Sequence, residues 1–199
     1  MTTVWTCFLT TKLLFRVMEK DLSVIPECYV DTNLISSLLG GIGVNHQKGC
    51  TRVTGVMEKQ LADKFAIGVI DADKVAPGYL AMFHKVAGLR HLCVYKSDSR
   101  SHYIITIHKA VEDFILDEAH RAGVLLSAFG LPDTLDALKK MTKKVSSDKN
   151  DRFKALFRKL DCVGEVAALK ELLLYLRSKG YAAREDQIVS ILERCYKNY

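Results

Sequence analysis

The stretch 65–74, FAIGVIDADK, constrains the fold of this chain more than any other. Its first half, 65–70, is a short apolar run bounded by charge on both sides. That is the pattern of a strand buried on both faces of a parallel sheet. Two carboxylates then follow one residue apart, Asp71 and Asp73. In an open α/β sheet ligands bind at the carboxyl ends of the strands, and paired acids there offer oxygen ligands to a hard divalent cation such as Mg²⁺. A strand closing in Asp also arises with no ligand in view, because Asp starts turns and caps helices. The weight of the metal reading therefore rests on what else the chain brings to that edge.

Strand and helix patterns alternate around this stretch, from about residue 27 to 122. Segment 27–31 (ECYVD) reads as a short strand closing in Asp31. Thr32 or Asn33 then caps a helix on which Leu34, Ile35, Leu38 and Leu39 recur at helical spacing, ended by Gly40 and Gly41. Segment 50–54 reads as a second short strand and 56–61 as a short helix. Beyond Pro77 and Gly78, 79–86 reads as a helix and 110–121 as another, while 89–95 and 102–107 read as strands. The short loop between those two strands predicts an antiparallel edge hairpin. Alternation on this scale implies βαβ units and a mostly parallel sheet covered by helices.

After Gly130 the pattern changes to short amphipathic helices over 131–145, 153–160, 165–178 and from about 184 onward. A chain of 199 residues fits one domain, or one domain with a small appendage. The expected organisation is an N-terminal extension over 1–26, an α/β domain over 27–130 and a helical appendage over 131–199. Segment 1–17 is Thr-rich and apolar, with Lys12 and Arg16 on the wrong side of the apolar part for a secretory signal. It reads either as an added strand or helix or as an over-extended start, with Met18 opening an ordinary polar segment.

Net charge is +6, which permits an acidic partner such as nucleic acid without demanding one. Segment 131–199 carries about 15 Lys and Arg against about 10 Asp and Glu, so most of the excess lies there. Its densest run, around Lys139, Lys140, Lys143 and Lys144, reads as a solvated helix face or as a nucleic-acid footprint. Six cysteines without a C-x-x-C pair point to buried free thiols in a reducing cytoplasm. No apolar stretch is long enough for a transmembrane helix. Among the histidines, His46 in the polar loop 42–49 lies nearest the expected edge. His102 and His108 are about 20 Å apart along one strand and cannot share a ligand.

If the strands ending in Asp31 and Asp71 are neighbours, three acids converge on one edge. Crowded like charges raise one another's pKa unless a cation neutralises them. A strand ending in an acid, a helix, and a buried strand ending in D-x-D together resemble the Toprim domain, the catalytic fold of topoisomerases, bacterial primases and recombination proteins. GVIDADK with VEDF on a helix some forty residues later is most similar to the OLD-type nucleases of phage defence. The resemblance spans roughly 27–122. It implies Mg²⁺- or Mn²⁺-dependent cleavage of nucleic-acid phosphodiesters, with Asp31, Asp71 and Asp73 as catalytic ligands and Glu112 as a further one. Lys74 after the D-x-D would touch a phosphate, as would the lysines of 139–144. The family carries Glu on its first strand, where this reading has Asp31. Toprim-type proteins often act beside an ATPase, which implies a partner chain. Two alternatives stand beside this reading. One is a Toprim-like module that has kept the fold and lost the reaction. The other is a PIN-like ribonuclease, which the YVDTN segment resembles.

Overall fold

The computed structural model describes residues 20–72 and 78–197, the last three of these by backbone alone. Segment 1–17, Asp73 and Lys74 lie outside the described residues. Five strands form one mixed sheet: β1 (Val24–Pro26), β2 (Ala66–Asp71), β3 (Phe83–Gly88), β4 (Leu92–Ser97) and β5 (His102–Ile107). Their order is β1-β2-β5-β4-β3, with parallel pairing from β1 through β5 and antiparallel pairing of β4 with both β5 and β3, so that β4 alone runs opposite to the other four. The helices are α1 (Tyr29–Leu38), α2 (Cys50–Gly55), α3 (Val111–Arg121), α4 (Leu135–Thr142), α5 (Asp151–Leu160), α6 (Gly164–Lys179) and α7 (Glu185–Lys197). The chain is thus α/β, and among the described residues no helix is long and apolar enough to cross a membrane.

All six residues of β2 are buried, as its uninterrupted apolar run requires for a strand covered on both faces. The pleat divides the core in two. Val24, Ile67, Val69, Tyr103 and Ile105 face a large cluster that continues without a break through Leu34, Phe114, Leu138, Phe153, Phe157, Leu169 and Ile188. Ile25, Ala66, Ile70 and Ile104 face a smaller cluster with Val53, Met57 and Tyr79. Gly68 lies on this second face. A Cβ there would meet Ile104 Cδ1 at 2.7 Å, Met57 Sδ at 2.9 Å and Val53 Cγ1 at 3.0 Å, so the missing side chain is what lets α2 lie close to the sheet.

Three local expectations are corrected. The strand expected over 27–31 is instead β1, ending at Pro26, followed by the first turn of α1. Cys28 Sγ accepts the Asp31 N–H at 3.3 Å and Asp31 Oδ2 accepts the Cys28 N–H at 3.0 Å. This reciprocal capping box starts the helix at Tyr29, so Cys28 takes the capping role expected of Thr32 or Asn33. Segment 50–54 is helical, because Val53, Val56 and Met57 then bury one face against β2, and that packing overrides the β-branched local preference. Within the expected helix 79–86, a 3₁₀ turn (Gly78–Met82) leads into β3, which acquires its ladder from β4 across a bulge at Lys85/Ala87. The predicted β4/β5 hairpin is present, although β3 and not β4 is the outer strand.

The outer side of β1 is also covered. Asn45 and Gln47 N–H groups donate to Val24 and Pro26 carbonyls at 2.9 and 3.0 Å, and Asp21 bridges Val44. This segment shields an edge that would otherwise present unpaired backbone groups, and it carries His46 to the carboxyl end of the sheet.

Candidate metal centre at the carboxyl edge

The parallel strands β1, β2 and β5 end on the same side of the sheet, and the candidate site is built from residues at or just beyond those ends. Glu27 comes directly after β1 and is almost fully buried. Its N–H continues the ladder to Val69 O at 3.0 Å, and its carboxylate Oε2 accepts the Asp71 N–H at 3.0 Å. Asp71 closes β2, and its Oδ1 accepts the Val111 N–H at 3.2 Å, at the first residue of α3. The two acids are therefore neighbours at adjacent strand ends, and each carboxylate is fixed by a backbone donor. Asp71 also contributes to starting α3, since a helix N-terminus favours a carboxylate.

Asp31 stands behind them on α1 and not at a strand end. It is 1% exposed, and Oδ1 has no hydrogen-bond partner among the described residues. Burial, followed by the charge of Asp71 and then that of Glu27, pushes its carboxyl well above the usual range. Burial together with the adjacent Asp31 charge pushes the Cys28 thiol up as well. Three acids thus crowd one edge, Glu27, Asp31 and Asp71.

A cavity of about 770 Å³ opens over this edge. Glu27 and Asp71 line it together with Glu112, His46, Lys139 and Lys143. Glu112 accepts the Thr142 hydroxyl, tying α3 to α4, and Lys139 pairs with Asp113 at 3.5 Å. Of the four lysines in the basic run, Lys139 and Lys143 reach the cavity, whereas Lys140 and Lys144 are exposed away from it. His46 stacks on Tyr29 with ring centroids 4.6 Å apart. Thr32 Oγ1 uses its one proton toward Cys28 O at 2.7 Å, so His46 Nδ1–H donates to Thr32 Oγ1 at 2.8 Å and Nε2 keeps a lone pair. Burial lowers the His46 pKa, which keeps the ring neutral near pH 7. His102 and His108 belong to the packing: His102 bridges Tyr79 OH and the Leu61 and Lys64 carbonyls, and His108 lies against Cys93.

The structure brings Asp31 and Asp71 close enough to interact, but Asp31 comes from α1 and not from the strand end that the sequence suggested, and Glu27, read from the sequence as the first residue of a strand, is the residue after one. The signal was present. Asp31 stands three residues after Cys28, at the position from which a capping-box acid reaches back, and this spacing starts the helix at Tyr29 and leaves Glu27 at the strand end. Among the described residues, no set of three or more His, Cys, Asp or Glu side chains is arranged to hold one metal ion. Comparison of the chain with protein-family models, with curated proteins and with solved structures finds no match.

Proposed function

We propose that the acid edge binds Mg²⁺ or Mn²⁺ and that the chain, as a Toprim-like domain, cleaves nucleic-acid phosphodiesters. The observation that carries this reading is the juxtaposition of Glu27 and Asp71 at the carboxyl ends of adjacent parallel strands. It also supplies the Glu that the resemblance calls for on the first strand. The donor set fits the ion. Mg²⁺ takes hard oxygen ligands and usually one or two carboxylates, keeping water for the rest. The orphaned Oδ1 of Asp31 and its upward-shifted pKa mark an edge whose charge a cation would relieve.

Glu27 and Asp71 would hold the ion, with Asp73 the next acid in the chain. Asp31 acts from behind, fixing the Glu27–Cys28 turn through the capping box. A divalent cation bound there would neutralise charge developing on phosphoryl oxygens and orient the attacking water. Lys139 of α4 and Lys143, the residue directly after it, form part of one wall of the same cavity and attract the phosphate backbone. Glu112, held by Thr142, keeps that wall in place. His46, neutral and with Nε2 unprotonated, is able to accept a proton at the rim. An ATPase partner of the kind that accompanies Toprim-type nucleases belongs to the same proposal.

A second reading is favoured by one feature. Both carboxylates already make structural hydrogen bonds, Glu27 to the β2 end and Asp71 to the α3 start, which would be worth keeping in a binding or assembly module without catalysis. The Toprim-like and PIN-like readings both place Asp31 at a strand end, and Asp31 lies in the first turn of α1; the Toprim-like reading is kept because Glu27 puts an acid directly after β1 in its place.

The test uses the amide isosteres Glu27→Gln and Asp71→Asn. Each keeps an acceptor oxygen, for the Asp71 N–H and the Val111 N–H respectively, and replaces the other carboxylate oxygen with a neutral amide nitrogen. Calorimetric titration of Mg²⁺ and Mn²⁺ into the wild type should show binding that each variant loses. Cleavage of labelled DNA or RNA should be lost with it, while thermal melting stays cooperative. Cleavage that survives in Asp71→Asn refutes the metal mechanism. Absence of both binding and cleavage in the wild type establishes the module.

A further inference from the structure

A second cavity, of about 750 Å³, lies beside the first and shares His46 with it. Its walls are the C-terminal half of α1, the glycine turn after it, and α5 with the start of α6. Its charge is strongly one-sided. Lys20, Lys149, Lys154, Arg158 and Lys170 line it, against Asp148 and Asp161. Lys154 is taken by Asp151 at 2.9 Å and Lys170 by Asp161 at 2.6 Å. Lys20, Lys149 and Arg158 have no ion pair among the described residues and are exposed.

The arrangement is more than a solvated helix face. On α5 and its C-cap, Lys154, Arg158 and Asp161 follow at helical spacing and point to one side, while Phe153, Leu156, Phe157 and Leu160 are buried on the other. The cationic side therefore faces a concave wall formed by a different part of the chain. That wall offers the hydroxyl of Ser36 and a glycine turn, while the Ser37 hydroxyl donates to Asn33 Oδ1 at 3.2 Å. Gly40 and Gly41 both have positive φ (73° and 88°), and a Cβ on either would meet nothing within 4 Å, so the turn leaves open room for a ligand, while their N–H groups close the end of α1 on Ser37 and Ser36 carbonyls at 3.1 and 2.8 Å. The charges in this cavity also act on the first one, because Lys20 lowers and Asp148 raises the pKa of the shared His46.

We propose that this second cavity is a metal-independent phosphate site that holds the backbone of a nucleic-acid strand where it runs on past His46 from the acid edge. Three unpaired cations over such a volume match several phosphates better than one. The Tyr29–His46 stack between the two cavities is a platform of the kind on which bases pack. The anion chemistry stands by itself. Only the identification of the occupant as the flanking part of the substrate rests on the phosphodiester reading above.

The test is fluorescence anisotropy with a labelled single strand of about 12 nucleotides, within the range one such groove covers. It is run in EDTA so that the acid edge contributes no metal. The variant Lys149→Glu/Arg158→Glu should bind at least about tenfold more weakly, with a shallower salt dependence, since each lost phosphate contact on a single strand removes about 0.7 from the slope. The control Lys59→Glu/Lys85→Glu makes the same change in net charge at exposed lysines elsewhere and should stay close to the wild type. Equal weakening in both variants, unchanged affinity in Lys149→Glu/Arg158→Glu, or no binding by the wild type at about 50 mM salt overturns the proposal. ATP and tripolyphosphate serve as competitors that separate the sources of phosphate. Displacement by either at a concentration well below that of added salt assigns the pocket to a free nucleotide and overturns the backbone assignment. Displacement only by unlabelled strand supports it. The same assay on Asp71→Asn should give binding no weaker than the wild type even where cleavage is lost. Failure of the metal reading thus leaves this result standing, and failure here leaves the metal reading untouched.

Discussion

Gly68 sits in the middle of β2, where most residues would be β-branched, because three side chains from α2, the turn after it and β5 occupy the space a Cβ needs. Ile104 and Met57 can shift, but Val53 is stiff at χ1. Gly68→Ala should therefore cost about 1–3 kcal/mol by overpacking, and Gly68→Val more. Urea denaturation of the two variants checks this, and unchanged midpoints would show that α2 moves freely on the sheet. A second single residue, Asn33, joins the two halves of the chain. Its Nδ2 donates to Ser147 O at 2.8 Å and Asn150 O at 3.1 Å, and its Oδ1 accepts from Ser37, so a fully buried amide has its main bonding groups occupied. Sequence reasoning saw Asn33 as a helix cap. The partners that explain its burial lie more than a hundred residues away.

At the scale of elements, the approach to β1 is tied to α6 by Asp21 and Arg177, 2.6 Å apart and both largely buried. Burial by itself would raise the Asp21 carboxyl, but hydrogen bonds from Ser23 and Arg177 hold it below the usual carboxylate range. A depressed folded-state pKa contributes stability that is fully present above the unfolded value, near 3.9, and is lost as pH falls through the lower folded value. Arg177→Met should accordingly destabilise by about 1–2 kcal/mol at neutral pH, with the gap to wild type closing below about pH 4. Denaturation curves measured across that range are the check, and a gap that does not change with pH would mean that the guanidinium acts through packing alone. At the other edge of the sheet, Glu185 at the start of α7 meets Lys96 of β4 and His84 of β3. These groups are much more exposed, so the contact orients α7 more than it stabilises it.

For the molecule as a whole, one apolar cluster runs from β1, β2, β4 and β5 through α1 and α3 into α4, α5, α6 and α7. Leu138, Phe153, Phe157, Leu169 and Leu173 are within it and fully buried. A chain ending at residue 130 would expose the side of α1 that packs on α5. Such a fragment should lack cooperative thermal unfolding and dispersed NMR amide signals, the marks of a fixed core. A fragment that melts cooperatively would show that residues 131–199 form a separable appendage. The same helices complete both cavities: α4 and the residue after it supply Lys139 and Lys143 to one, and α5 supplies Lys154 and Arg158 to the other.

Local chemistry alone determined the elements whose partners lie close in sequence or whose burial is complete. The apolar run ending in Asp71, the β4/β5 hairpin and the amphipathic helices of the C-terminal third could all be read from periodicity, since a two-sided strand or a one-sided helix writes its environment into its own residues. Tertiary structure decided what depends on a distant partner. The three-residue strand β1 exists because Ile67, Gly68 and Val69 stand beside it. Segment 50–55 is a helix because β2 omits a side chain opposite it, and β3 is a strand because β4 lends it a ladder. The chain carries its acids in its sequence, but only the parallel pairing of β1 with β2 makes Glu27 and Asp71 neighbours. The reason is physical: register between strands about 40 residues apart is set by packing and hydrogen bonds that no local window contains.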